Sequence, residues 1–115
     1  MHSRDFLDNL TWACHLLGAA HPDEFLDTFM SPDWYGNPFV ISGLGGTLHP
    51  RATRRLMRLL TNDDEWVRVN AAVALCGHRH RGLRSVLLSA MDDPSNLVRY
   101  HVEERLEELG QTSSL

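Results

Sequence analysis

Lysine is missing from this chain: all 11 of its basic residues are arginine. We read that mainly as a nucleotide-composition bias, although arginine is also the better residue for bidentate contact with carboxylates and phosphates. Cysteine is scarce, and two thiols make no disulfide framework. Cys14 and Cys76 fall among apolar residues in helical patterns, where a reduced thiol is expected to act as a small core hydrophobe. No apolar run approaches the roughly 18 residues needed to cross a bilayer, so no membrane partner is expected. The first residues, Met1 to Asp5, lack the charged and apolar regions of a secretion signal in their usual order, which makes the cytoplasm the expected location. Catalytic signatures are absent too. There is no Gly-x-Ser-x-Gly, no His-Glu-x-x-His and no phosphate-binding glycine loop followed by Lys. Gly43-Leu44-Gly45-Gly46 is instead expected to mark close helix packing, and no enzymatic activity or cofactor is predicted.

The chain does hold a repeat. Leu59-Leu60-Thr61-Asn62-Asp63-Asp64-Glu65-Trp66-Val67-Arg68 returns 31 positions later as Ala90-Met91-Asp92-Asp93-Pro94-Ser95-Asn96-Leu97-Val98-Arg99. A fixed period of this size is the mark of stacked helical hairpins. Val40, Leu44, Thr47 and Leu48 take the same relative places as Val67, Ala71, Ala74 and Leu75, which points to a third, degenerate copy ahead of the two clear ones. At 115 residues the chain fits one domain, expected over residues 1–110, with a flexible tail at 111–115.

Apolar spacing predicts helices over Ser3 to Ala20, Asp23 to Met30, Phe39 to Leu48, Arg51 to Leu60, Asp63 to Cys76 and the stretch beyond Ser95. Asn62 with Glu65 resembles a capping box, and Asp93-Pro94 an N-cap with a first-turn proline. The helix through Val67 to Leu75 is apolar nearly all round and is expected to be sandwiched, whereas the last helix keeps a polar outer face of the kind a terminal repeat needs. Val67, Ala71, Leu75, Val98, Val102 and Leu106 are the predicted core.

Charge falls in three blocks: net −5 over residues 1–48, +5 over 49–91 and −4 over 92–115. In the middle block Arg51, Arg54, Arg55 and Arg58 share one helix, and Arg81 and Arg84 follow after the next. These six are the candidate partner-binding residues, facing either an acidic protein surface or phosphates; the competing reading is a solvated face. Trp34 and Tyr35, adjacent aromatics on a loop, are the second candidate contact, or else a plug over the first repeat. Arg68 and Arg99 belong to the repeat and are expected to hydrogen-bond the inter-helix turns. Cys76-x-His78-x-His80 invites a zinc site, but interleaved arginines repel a cation and no fourth ligand is evident, so no metal is predicted.

The segment from Leu56 to Gly110, which reads Val67-Arg68-Val69-Asn70-Ala71-Ala72-Val73-Ala74-Leu75-Cys76-Gly77 in its first copy, resembles HEAT repeats, closest to the short bacterial HEAT-like type; the second copy departs from it with Val102-Glu103 where the pattern has Ala-Ala. The resemblance implies an all-α fold, an α-solenoid of stacked antiparallel helix pairs with about three repeats, and HEAT proteins mostly bind other macromolecules. The iron hydroxylases of that family use His-Glu pairs, which this chain lacks. Its DNA glycosylases use a basic concave groove about twice as long as this chain would build. The resemblance therefore implies a non-catalytic protein-binding module, and size and surface together suggest an inhibitor or immunity protein that neutralises a dedicated partner. Nucleic-acid binding through the Arg-rich middle is the alternative.

Overall fold

A computed structural model describes residues 3–29, 31–34 and 36–113. Among them seven α-helices follow one another without a strand: α1 (Ser3–Ala20), α2 (Pro22–Phe29), α3 (Pro38–Gly46), α4 (Pro50–Leu59), α5 (Glu65–Ala74), α6 (Leu83–Ala90) and α7 (Asn96–Ser113), with one 3-10 turn at Pro32–Trp34. The radius of gyration, 13.8 Å, is close to the roughly 13 Å of a single folded unit of this length. Helix α1 packs on α3, α3 on α5, and α5 on α7, while α2, α4 and α6 pack beside this row. Helices α4 and α6 make no substantial contact with each other.

The helix starts show why these segments fold as they do. Asn37, Asp64 and Ser95 each lie three residues before Val40, Val67 and Val98. Each places a side-chain oxygen on the first turn of its helix. Asn37 accepts from the Phe39 and Val40 N–H groups, Asp64 from Trp66 at 2.8 Å, and Ser95 from Val98 at 3.2 Å. The caps are therefore Asp64 and Ser95 rather than Asn62 and Asp93. The latter two work one step earlier, accepting from the Asp64 and Ser95 N–H groups at 2.9 Å each.

The two turns carry the same bonds 31 residues apart. Arg68 donates to the Asn62 carbonyl at 2.8 Å, and Arg99 donates to the Asp93 carbonyl. Arg68 also forks onto the Asp93 carboxylate, at 2.9 and 3.3 Å, which ties the first turn to the second. Both side chains of that pair are largely buried. Replacing Arg68 by alanine is expected to lower unfolding stability by about 2 kcal/mol in a urea titration, with lysine failing to restore it because the fork is lost. Arg99→Ala should cost less, since the Asn96 side chain it reaches is exposed.

Behind the caps lies one core of Val40, Ile41, Leu44, Leu56, Leu59, Val67, Ala71, Leu75, Leu87, Val98 and Val102. Leu106, predicted to be buried with them, is only partly so. Leu48 departs further: it is 61% exposed, because α3 stops at Gly46 and Leu48 adopts φ 33°, turning its side chain out ahead of Pro50. Helix α5 is not sandwiched all round, since Trp66 and Val73 are exposed. Helix α7 runs to Ser113.

The glycines of α3 bring α1 in at backbone distance. An added Cβ on Gly46 would run into the His15 carbonyl, and one on Gly18 into the Gly43 carbonyl. Gly43-Leu44-Gly45-Gly46 is thus a packing surface.

Candidate functional site

The separation of α4 and α6 leaves an open groove of about 850 Å³. Arg54, Met57 and Arg58 form its α4 wall, Ser85, Val86, Ser89 and Ala90 its α6 wall, and the two turns close its end. The lining is mostly apolar carbon, a common property of sites that take a ligand or a side chain. The Asp63 and Asp92 residues stand at the turn end, so the groove is acidic there and basic along α4.

Helix α4 explains the basic wall. Ala52, Leu56 and Leu59 recur at helical spacing and are buried, so the intervening arginines are carried outward. Pro50 occupies its first turn, and the His49 ring nitrogen Nδ1 accepts from the Arg51 N–H at 3.1 Å. Arg51, Arg54 and Arg58 are exposed. Among the described residues none of the three is in an ion pair. Arg55 differs: it is only 9% exposed, so it does not present a free guanidinium to a partner as the sequence had suggested. Its place on the inner flank of α4, next to Leu56 and Leu59, accounts for that. Arg51, Arg54, Arg55 and Arg58 together line a smaller cup of about 210 Å³ beside the groove, sharing Arg54 and Arg58 with it.

The other candidates are not gathered here. Arg81 and Arg84 are exposed on the loop before α6 and on its first turn, yet neither lines the groove. Trp34 stands edge-on to Phe29 at 5.2 Å and borders a separate apolar cavity of about 220 Å³ between α1, α2 and α3. That cavity shares no residue with the groove, and the position fits a plug over the N-terminal helices. Tyr35 lies outside the described residues.

His78 is the buried polar residue that sequence reasoning misplaced. Gly77 adopts φ 80° after α5 and turns the chain so that His78 points inward, where it is 1% exposed. A carbonyl only accepts, so Nε2–H donates to the Gly45 oxygen at 2.9 Å. Nδ1 is then bare and accepts from the Thr53 hydroxyl at 2.7 Å. Burial holds the imidazole below its ordinary pKa, so it stays neutral while it joins α3 to α4. Both nitrogens are used, which leaves none for a metal. The apolar Gly-His spacing carried no signal of this; only the positive φ at Gly77 makes it.

Cys76 is exposed rather than in the core. Its thiol points to the Glu108 carboxylate at 3.4 Å, and partial burial followed by that carboxylate pushes its pKa up. It therefore remains a thiol, poor as a nucleophile and as a metal ligand. Among the described residues no three His, Cys, Asp or Glu side chains are grouped to hold a metal ion, and no helix is long and apolar enough to cross a membrane.

No family model, curated protein or solved structure matches this chain.

Proposed function

We propose that this chain is a non-catalytic, HEAT-like helical-repeat module, built as an α-solenoid of about three hairpins, whose α4–α6 groove docks an acidic segment of another protein. The observation that carries the reading is the groove itself: apolar walls of Met57, Val86 and Ala90 beside Arg54 and Arg58, which no carboxylate of the described residues neutralises. Apolar walls give a segment somewhere to bury side chains, and unpaired guanidiniums at the rim steer and orient an acidic one. The repeated turn bonds support the solenoid, since the same hydrogen bonds recur 31 residues apart. Two free thiols fit a reducing compartment such as the cytoplasm. Neutralising one dedicated partner, as an inhibitor or immunity protein does, suits a module whose described residues form a groove of this size.

The test uses the full chain with a partner captured from its native cells. Replacing Arg51, Arg54 and Arg58 together by Glu should slow association by roughly 10- to 1,000-fold and abolish its salt dependence. The melting temperature should hardly move, because exposed charges contribute little to stability. Full retention of affinity by a folded triple variant would remove the groove from the recognition surface. A second reading, nucleic-acid binding, rests on the same three guanidiniums; a salt-dependent mobility shift with DNA or RNA, lost in the triple variant, would promote it.

A further inference from the structure

We infer that the first turns of α3, α5 and α7 form a second docking surface, which takes an extended segment of a partner protein carrying arginine or lysine at every third residue. The inference stands apart from the α4–α6 groove and uses neither of its helical walls.

The three helices start alike. After the cap, which is Asn37, Asp64 or Ser95, the second helical residue is Phe39, Trp66 or Leu97 and the third is a buried valine. Successive helical residues point about 100° apart, so burying the third turns the second toward the surface. Trp66 is 62% and Leu97 40% exposed, and Phe39 is partly buried where it borders the apolar cavity beside Trp34. Two distances bring the starts together. A Cβ built on Gly36, just ahead of α3, would stand 3.5 Å from a Val67 methyl of α5, and the Arg68 guanidinium of α5 reaches the Asp93 carboxylate ahead of α7 at 2.9 Å. One apolar side chain per helix therefore recurs along the packed row, at the roughly 8–10 Å that separates neighbouring helices.

Charge selects the occupant. Residues 31–39, 61–67 and 92–97 hold six carboxylates and no basic residue. Asp64 is engaged as a cap and Asp93 by Arg68, while Asp33, Asp63, Glu65 and Asp92 are exposed and, among the described residues, in no ion pair. Such an edge repels phosphates, so neither a nucleic acid nor an anionic membrane suits it. An arginine or lysine does, because its cation is attracted to the Trp66 ring and to the carboxylates while its aliphatic stem covers apolar surface. Spacing selects the form. A polyproline II segment advances about 9.3 Å in three residues and shows every third side chain to one face, which matches the step from helix to helix.

The full chain is titrated with a peptide of four Arg-Pro-Pro units while the tryptophan indole N–H resonances are followed by NMR. Trp66 should shift, and Trp12 on α1 should not. A peptide of the same composition, with its arginines in one run and its prolines in another, should bind roughly tenfold more weakly, and one of Glu-Pro-Pro units should leave Trp66 in place. Trp66→Ala should weaken binding by roughly tenfold, and Asp63→Asn with Glu65→Gln by a similar factor. Glu103→Gln with Glu107→Gln, exposed on α7, should leave it unchanged. No shift at Trp66, equal binding of the rearranged peptide, full affinity in Trp66→Ala or an equal loss in the α7 variant overturns the proposal. A Trp66 shift that follows protein concentration with no peptide present assigns the row to a second copy of this chain, and overturns it as well.

Discussion

Replacing His78 by alanine is expected to cost about 3–5 kcal/mol of unfolding free energy, a large part of the roughly 5–15 kcal/mol that holds a domain of this size. The loss has two sources. The Gly45 carbonyl would be left buried without its partner, at about 1–3 kcal/mol, and the Thr53 hydroxyl would keep only the longer bond to the His49 carbonyl at 3.3 Å. The vacated ring space between α3 and α4 adds a cavity term. Thr53→Val, which removes the hydroxyl at nearly constant shape, should cost less. Urea unfolding reads both.

The same residue sets a pH dependence with a definite sign. The ring is held below its ordinary pKa of 6.5 in the folded chain, chiefly by burial, with His15 adding to the shift and the Gly45 carbonyl opposing it. Above pH 6.5 His78 is neutral whether folded or unfolded, and it contributes no slope. Below pH 6.5 the unfolded chain takes up the proton first, so stability falls as the pH drops toward the folded pKa. His78→Ala removes this part of the acid-side slope. Identical slopes for the two proteins between pH 7.5 and 5.5 would show that His78 is not held neutral in the fold.

Gly18→Leu is the second large effect expected. The α1–α3 interface has backbone against backbone, and a side chain at Gly18 meets the Gly43 carbonyl and the Thr47 side chain. Helix α1 must move away, which should lower stability by more than about 3 kcal/mol despite leucine's better helix propensity. Gly110→Ala is the internal control. Nothing lies within 4 Å of a Cβ added there on α7, so the substitution should stabilise by up to about 1 kcal/mol. Were both glycine variants to raise the melting temperature, close packing of α1 on α3 would be wrong.

Much of the fold was legible because it is encoded locally. Helix α1 spans Ser3–Ala20 as its apolar spacing predicts, and α2 and α4 lie within a residue of their expected ranges. Val67, Ala71, Leu75, Val98 and Val102 are buried, and Arg68 and Arg99 bond the turns. The caps shifted from Asn62 and Asp93 to Asp64 and Ser95 because all four side chains can accept an N–H, and only the exact start of the helix chooses between them. The candidate site was half legible. Four arginines on α4 were visible at their spacing, but Arg55 turned inward, and Arg81, Arg84 and Trp34 did not join the groove.

What the residues alone determined is therefore periodic or near in sequence: which stretches are helical, which face of each is apolar, the recurrence of the turn, and the concentration of positive charge on α4. Those properties arise from interactions within one or two helical turns, and a linear reading captures them. The tertiary structure decided the rest. It parted α4 from α6 to open the groove, exposed Leu48 and Cys76, and drew His78 across to Gly45 and Thr53, which are 33 and 25 residues away. These outcomes depend on how packed helices meet, a sum of contacts between distant residues that no single spacing along the chain records.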